Sequence, residues 1–273
     1  MLKKAYIEIG NICNLSCAFC HGTARAQRFM TAEEFYSAAL EISRHTEYVY
    51  LHVLGEPLLH PQFSEILEIC ERLDLKAVIV TNGTLIEQKK ALLLGSGALY
   101  KICFSLHSFE ANGNFSPAVY INNICAFAKE AKGQFIVSLR LWNGGGEDSL
   151  NAEIEALINA AFPGEHKKNR RGCTLAKNIF LEYGEKFDWP DLAAPEHPVS
   201  FCMALRDQVA VLCDGTVVPC CLDAEGTLAL GNIFSQPLSD ILNSKRAQDI
   251  YRGFSARRPC EELCRHCGKP EEF

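Results

Sequence analysis

With 273 residues, 48% of them apolar and 22% charged, the chain has material for a full globular core and falls outside the disordered and fibrous classes. Its 27 basic and 33 acidic residues give −6, a balance that argues against general binding to nucleic acid. No apolar run is long enough to span a bilayer, and Met1-Leu2-Lys3-Lys4 leads straight into a strand-like segment without a signal peptide. The expectation is a cytoplasmic protein with no membrane partner, in which 14 cysteines point to metal ligation or redox chemistry instead of disulfides.

The first predicted strand, 5–10, runs into Cys13-Asn14-Leu15-Ser16-Cys17-Ala18-Phe19-Cys20. Three thiolates on one loop suit an iron–sulfur cluster, zinc or Cu(I), because these metals select soft ligands. A fourth local ligand is missing, so either a distant residue completes the set or one position stays open. His21 is the zinc alternative, although it directly follows Cys20 and makes a poor tetrahedral spacing.

Further short runs rich in Val, Ile, Tyr and Phe predict strands at 47–53, 76–81, 100–106, 134–141 and 178–183. Between them, Thr31-Ala32-Glu33-Glu34 reads as a capping box, and Pro61 as the opening of a second helix. Helical patterns near 84–95, 116–131 and 149–162 complete an alternation that implies parallel βαβ units, best arranged as a partial or full (β/α) barrel.

Barrels of this kind work at the C-terminal ends of their strands. Those ends carry the cysteine loop, Leu54-Gly55-Glu56-Pro57, Thr81-Asn82-Gly83-Thr84, Ser105-Leu106-His107-Ser108 and Arg140-Leu141-Trp142-Asn143. Each has a bland turn reading, and their joint placement at one rim is what marks a site. His52, His60 and His107 all fit core or turn positions; His107, at a strand end, is the candidate catalytic or substrate-contacting residue. The run Lys167-Lys168-Asn169-Arg170-Arg171 reads as a solvated loop, with contact to a phosphate-bearing substrate as the alternative.

After residue 184 the alternation stops, and Pro190, Pro195 and Pro198 mark a linker over 185–201. Residues 202–273 then form a small cysteine-rich unit. Its elements are a hairpin about Asp214-Gly215 and one amphipathic helix over 237–251. The expected fold is α/β: a partial (β/α)6 TIM-like barrel over 1–184 followed by this extension.

Cys13-x3-Cys17-x2-Cys20, with Phe19 before the last cysteine, resembles the signature of the radical S-adenosylmethionine (radical SAM) superfamily. Gly55-Glu56-Pro57 resembles that family's glycine-rich Gly-Glu segment, with Leu54 where a glycine is usual. Cys202-x12-Gly215-x4-Cys220 and Cys260-x3-Cys264-x2-Cys267 resemble the SPASM/twitch extension, without the longer cysteine array of two-cluster versions.

The resemblance implies that Cys13, Cys17 and Cys20 hold three irons of a [4Fe–4S] cluster whose fourth iron takes SAM. Reductive cleavage of SAM would then give a 5′-deoxyadenosyl radical that abstracts a substrate hydrogen. It further implies SAM contacts at Phe19, Gly55, Glu56, Pro57, Asn82, Ser105 and Arg140. One auxiliary [4Fe–4S] cluster would sit on Cys202, Cys220, Cys264 and Cys267, with Cys221 the alternative to Cys220 and Cys213 and Cys260 left as spare thiols.

Full cysteine coordination favours an electron-accepting role and so an oxidative modification, dehydrogenation or bond formation. Flavodoxin or ferredoxin would be the reductant, and a peptide or a small molecule the substrate. The first strand begins at residue 5, leaving no room for an N-terminal peptide-recognition domain and shifting weight towards the small molecule. The alternatives are a radical epimerase using a spare cysteine as hydrogen donor, an RNA-modifying enzyme, a non-catalytic iron–sulfur electron carrier and a zinc-stabilised interaction module.

Overall fold

Strands and helices alternate from β1 (Lys4–Ile7) through α1 (Ala32–Ser43), β2 (Tyr48–Tyr50), α2 (Phe63–Arg72), β3 (Lys76–Thr81) and α3 (Ile86–Gly95). The series continues with β4 (Leu99–Ser105), α4 (Pro117–Glu130), β5 (Ile136–Gly144) and α5 (Asn151–Ala161). Next come β6 (Lys167–Asn169), β7 (Gly172–Ala176) and β8 (Ile179–Glu185). The C-terminal part adds β9 (Gln208–Val211), β10 (Thr216–Val218), β11 (Gly231–Asn232), α6 (Leu238–Leu242), α7 (Lys245–Ser255) and α8 (Glu262–Arg265). The computed structural model describes residues 2–109, 116–146, 148–186, 188–197, 199 and 201–268, so linker positions 187, 198 and 200 and the last residues of the expected extension, 269–273, lie outside the described residues.

Among the described residues, the eleven strands join one sheet in the order β11-β10-β9-β1-β2-β3-β4-β5-β8-β7-β6. The strands β9, β1 to β5 and β8 pair in parallel, and an antiparallel pair closes each side. Six of the parallel strands, β1 to β5 and β8, make the expected partial barrel, with the helices on one face as βα crossovers require.

Strand alternation divides the sheet chemically. Ala5, Ile7, Val49, Ala77, Ile79, Ile102, Val137 and Leu139 join the helices in the main core, all essentially without exposure. The intervening residues Lys4, Tyr6, Tyr50, Lys101, Ser105 and Arg140 face the opposite way and line a cavity. The helix side of the strands is thus uniformly apolar, whereas the cavity side mixes Val80 and tyrosine rings with charged and polar side chains.

The Thr31 capping box forms, with Thr31 Oγ1 accepting from Glu34 N–H and Glu34 Oε2 accepting from Thr31 N–H. Three sequence expectations are corrected. Helix α2 starts at Phe63 with Gln62 as its cap, two residues past Pro61. The single helix expected over 237–251 is two, broken at Asn243 because the Ser244 hydroxyl accepts from Ala247 N–H and starts α7 afresh. The basic run 167–171 is not a plain loop but contains an exposed edge strand, β6, paired antiparallel with β7.

Candidate active site: a three-cysteine loop over a cationic cavity

The cysteine loop leaves β1 and is closed at its base by backbone and amide contacts. Gly10 and Phe29 form an antiparallel bridge, Met30 N–H donates to Ile9 O at 2.8 Å, and Asn11 N–H donates to Arg28 O at 3.2 Å. The Asn11 side chain adds both of its valences, accepting from Arg28 N–H at 2.8 Å and donating to Ala26 O at 3.0 Å. Residues 12–26 are thus an Ω-like loop with tied ends.

The turn after β2 docks on that base. Gly55 has φ +77°, and a Cβ there would lie 2.4 Å from Gly10 O and 3.0 Å from Ile12 O, so only glycine permits the approach. Glu56 N–H then donates to Ile12 O at 2.9 Å. The Glu56 carboxylate is buried and accepts from Thr81 Oγ1 at 2.7 Å, Asn82 N–H at 2.8 Å and Leu58 N–H at 3.0 Å. Burial nonetheless pushes its carboxyl above the ordinary range. Leu54, where the family pattern has glycine, packs with Tyr6, Val53, Leu212 and Cys221 in a second small core.

Asn82 carries the link on to the thiols. Its Nδ2 donates to Asn14 Oδ1 at 2.9 Å and lies 3.8 Å from Cys13 Sγ, while its Oδ1 accepts from Thr84 N–H and Oγ1. Leu15 N–H also donates to Cys13 Sγ at 3.4 Å. Cys13, Cys17 and Cys20 all line one cavity of about 930 Å³ together with Phe19, Gly55, Glu56, Asn82, Ser105, His107 and Arg140. Pro57, the remaining expected contact, is buried as the first residue of a 3₁₀ turn, Pro57–Leu59, and is not among the lining residues. Its fixed φ starts the turn that presents Glu56, a structural role.

His107 follows β4 in a second 3₁₀ turn, with its ring 5.0 Å from that of Phe19. Its Nδ1 accepts from Trp142 N–H at 3.3 Å and also lies 3.3 Å from Arg140 O. Burial holds its pKa down at about 4, so the ring is neutral near pH 7. Ser105 and Arg140 are register partners on β4 and β5, and Arg140 in turn opposes Glu182 on β8. The guanidinium lies 4.3 Å over the Trp142 ring, with Nε 3.4 Å from Glu182.

Sequence reasoning missed Trp189, which caps the loop from the linker. Its Nε1–H donates to Phe19 O at 3.3 Å and its ring lies 5.5 Å from His21, which is thereby a stacking partner of the linker. Also missed were the inner-face residues Lys4, Tyr6, His52 and Lys101, whose signal was the two-residue alternation within each strand run.

The second group of thiols lies apart from the cavity. Cys202, Cys220 and Cys264 pack against a third small core of Val199, Ala204, Ile250 and Phe254. Burial raises the pKa of all three, and mutual charge links Cys202 with Cys220, Cys264 and Cys267. Cys221, the next residue, turns the other way into the cavity wall beside the Tyr6 hydroxyl. Cys213 receives Arg25 Nη1 at 3.6 Å and Cys260 is exposed.

Among the described residues no group of three or more His, Cys, Asp or Glu gathers round a point that would hold a single metal ion. A cluster of several metals spreads its ligands more widely. The chemistry of the donors fits one at both places: thiols only, three beside an open cavity, and Cys202, Cys220 and Cys264 about a small apolar core with Cys267 acting on Cys202 and Cys264.

Residues 7–148 match the model of the radical SAM superfamily, and residues 202–268 match that of an iron–sulfur cluster-binding domain, SPASM. The chain belongs to the radical SAM superfamily. It is a radical SAM enzyme with a SPASM domain, and its cofactors are iron–sulfur clusters and S-adenosylmethionine.

Fe-coproporphyrin III synthase of Methanosarcina barkeri (strain Fusaro / DSM 804) is 26% identical over 151 residues, which cover 54% of this chain and 35% of that protein. The chain therefore aligns with about a third of that curated relative's length. Among solved structures, BtrN in complex with AdoMet and 2-DOIA superposes with a TM-score of 0.63 at 16% identity, over 98% of this chain and 94% of that one. Streptococcus suis SuiB bound to S-adenosylmethionine gives 0.68 at 18% identity, over 98% and 71%. The anSMEcpe structure with bound AdoMet gives 0.64 at 14% identity, over 91% and 82%. At these identities the likeness is one of fold. No helix among the described residues is long and apolar enough to cross a membrane.

Proposed function

We propose that this protein cleaves S-adenosylmethionine reductively and oxidises a substrate held in the cavity, by dehydrogenation or bond formation, with the second cluster accepting an electron. One observation carries the reading. Cys13, Cys17 and Cys20 share a cavity wall with Cys221, and the residue before Cys221 is Cys220 of the second thiol group, so the second donor set stands one residue behind the wall of that cavity.

When bound, the cluster on the first loop supplies one electron to the SAM sulfonium and thereby a carbon radical able to take hydrogen. The chain's own residues bind and orient. Burial pushes the Cys13 thiol up, and the Leu15 N–H and Asn82 Nδ2 partly offset this by donating to its sulfur. Gly55 and Glu56 hold the loop base, Arg140 offers a guanidinium to a carboxylate, and the Phe19, His107, Trp142 and Trp189 rings restrict water at the rim. Flavodoxin or ferredoxin is the proposed reductant and the cytoplasm the proposed compartment. The substrate is a peptide or a small molecule; SuiB and anSMEcpe have been solved with the peptides SuiA and Cp18Cys, and BtrN with 2-DOIA.

Anaerobic reconstitution with SAM and a reductant tests this. Cys17→Ala abolishes 5′-deoxyadenosine formation, whereas Cys264→Ala keeps it and loses product. Unchanged product yield in Cys264→Ala would remove the electron-accepting role. A second reading is favoured by Cys221, whose side chain lines the cavity beside Tyr6. As an epimerase, the protein would return a hydrogen atom from that thiol to the substrate, and the reductant would restore the thiol with one electron and a solvent proton. Product formed in D₂O with one deuterium at the reacting carbon selects this reading, and product without it excludes it.

A further inference from the structure

The charge on the cavity wall runs against that of the whole chain. The protein carries −6, yet five cations, Lys4, Lys101, Arg140, Arg171 and Lys186, line the cavity. Among the described residues its one acidic lining residue is Glu56, whose carboxylate is already engaged by Thr81, Asn82 and Leu58. Behind the wall the Glu182 carboxylate is shared between Lys101 at 3.6 Å and Arg140 at 3.4 Å and also accepts from Ser138 Oγ at 2.6 Å, while the Asp207 charge acts on Lys4.

The wall is also short of acceptors. Among the described residues, His52 Nδ1 and Trp142 Nε1 are buried without a hydrogen bond, Arg140 Nε has the Glu182 ion pair but no hydrogen bond, and all three residues line this cavity. The arginine and indole nitrogens can only donate. Buried donors are rarely left unmet in native proteins, so a lining that supplies cations and donors calls for an occupant that supplies anionic acceptors.

We infer that the substrate bears carboxylate or phosphate groups, and that Lys4, Lys101, His52 and Trp142 in the barrel interior read them, with Arg171 and Lys186 at the exposed mouth drawing them in. This rests on the cavity being the substrate site of the proposed reaction. It also gives a role to the basic run at 167–171, of which Arg171 is the residue that reaches the cavity lining. Clefts lined by one sign of charge concentrate ligands of the other sign and speed their capture.

The test titrates pyrophosphate and citrate, with neutral myo-inositol as control, into the SAM-loaded, cluster-replete protein by calorimetry. At least one anion binds and myo-inositol does not; the anion preferred shows whether phosphate or carboxylate is read. Lys4→Gln and Lys101→Gln each weaken that binding by about tenfold, the loss of one charge-assisted contact. Arg171→Gln, an exposed change that leaves the interior packing alone, weakens it less and lowers its sensitivity to salt.

Anion binding no tighter than that of myo-inositol, or affinity unchanged in all three variants, overturns the assignment. Formation of 5′-deoxyadenosine by the reduced wild-type protein is measured alongside. A protein that cleaves SAM but ignores both anions refutes the anion site alone, and one that binds anions but never cleaves SAM refutes the radical reading alone.

Discussion

Arg25 grips Glu8 with both terminal nitrogens, Nη1 to Oε2 at 2.9 Å and Nη2 to Oε1 at 2.8 Å, inside a site where Glu8 has no exposure. The pair joins three parts of the molecule. Arg25 belongs to the cysteine loop and Glu8 follows β1, while Glu8 also accepts from Cys213 N–H of the C-terminal hairpin and from Leu54 N–H of the β2 turn. Arg25 Nε adds a bond to Ala224 O at 2.8 Å.

Removing one partner strands the other charge in the interior, which costs about 3 kcal/mol or more. Arg25→Gln should therefore lower the urea midpoint strongly and slow 5′-deoxyadenosine formation, because the loop loses its anchor. Lys3→Ala, which breaks the exposed Lys3–Asp207 pair, should change the midpoint little. Equal effects of the two substitutions would show that the buried pair does not hold the loop.

Gly55→Ala combines a strained φ with a Cβ 2.4 Å from a backbone oxygen that cannot step aside, since Gly10 is itself bridged to Phe29. The turn must back away from the loop base. The expected result is a folded protein with reduced iron at the first site, read as iron per chain after reconstitution in the Cys264→Ala background. Gly95→Ala, where an added Cβ meets nothing within 4 Å, is the matched control and should leave iron content unchanged.

Asn82→Leu keeps the branched shape and removes the amide beside Cys13 Sγ. Hydrogen bonds to cluster sulfurs raise the reduction potential, so the first cluster should become harder to reduce. An anaerobic redox titration followed by electron paramagnetic resonance reads this directly. An unshifted midpoint would assign Asn82 to loop geometry through Asn14 and Thr84 only.

Acid should weaken the fold through His52. Burial first, then the Arg140 and Lys4 charges, hold its pKa down at about 3, while the unfolded chain has an ordinary histidine. A depressed folded pKa means that this stability is present above about pH 6.5 and is lost as the unfolded state takes up the proton below it. Between pH 7 and pH 5 the loss is about 2 kcal/mol from this group. His52→Gln should flatten the pH dependence of the urea midpoint over that interval, and an unaltered slope would exclude His52 as its source. His60, buried with Nε2 on Met30 O, shifts in the same direction and should account for part of the remaining slope.

What could be read from residues alone was what lies close together along the chain. Cys13, Cys17 and Cys20 stand within eight positions, and β3 was expected at 76–81 and runs Lys76–Thr81. The Thr31 cap and the Asp214-Gly215 hairpin are likewise local chemistry. Less legible were features that depend on which way a strand residue faces. Lys4, His52 and Lys101 sit in runs whose apolar neighbours dominated the pattern, and their side of the sheet became defined only when the helices covered the other. Contacts across long chain separations were out of reach: Trp189 meets Phe19 from 170 positions away, and Cys213 meets Glu8 from 205. The break between α6 and α7 was visible in Asn243-Ser244 but was outweighed by the continuous apolar stripe.

Parallel pairing of β9 with β1 has a consequence for how the chain is made. The outer edge of Lys4–Ile7 has its partner only once Gln208–Val211 has been synthesised, so through most of translation the first strand presents bare amide and carbonyl groups. A shortened gene product ending before residue 208 would keep that edge for good and tend to aggregate, however complete its cysteine loop. Expression trials of the first matched segment alone should include a cover for this strand, or carry the chain on through the hairpin.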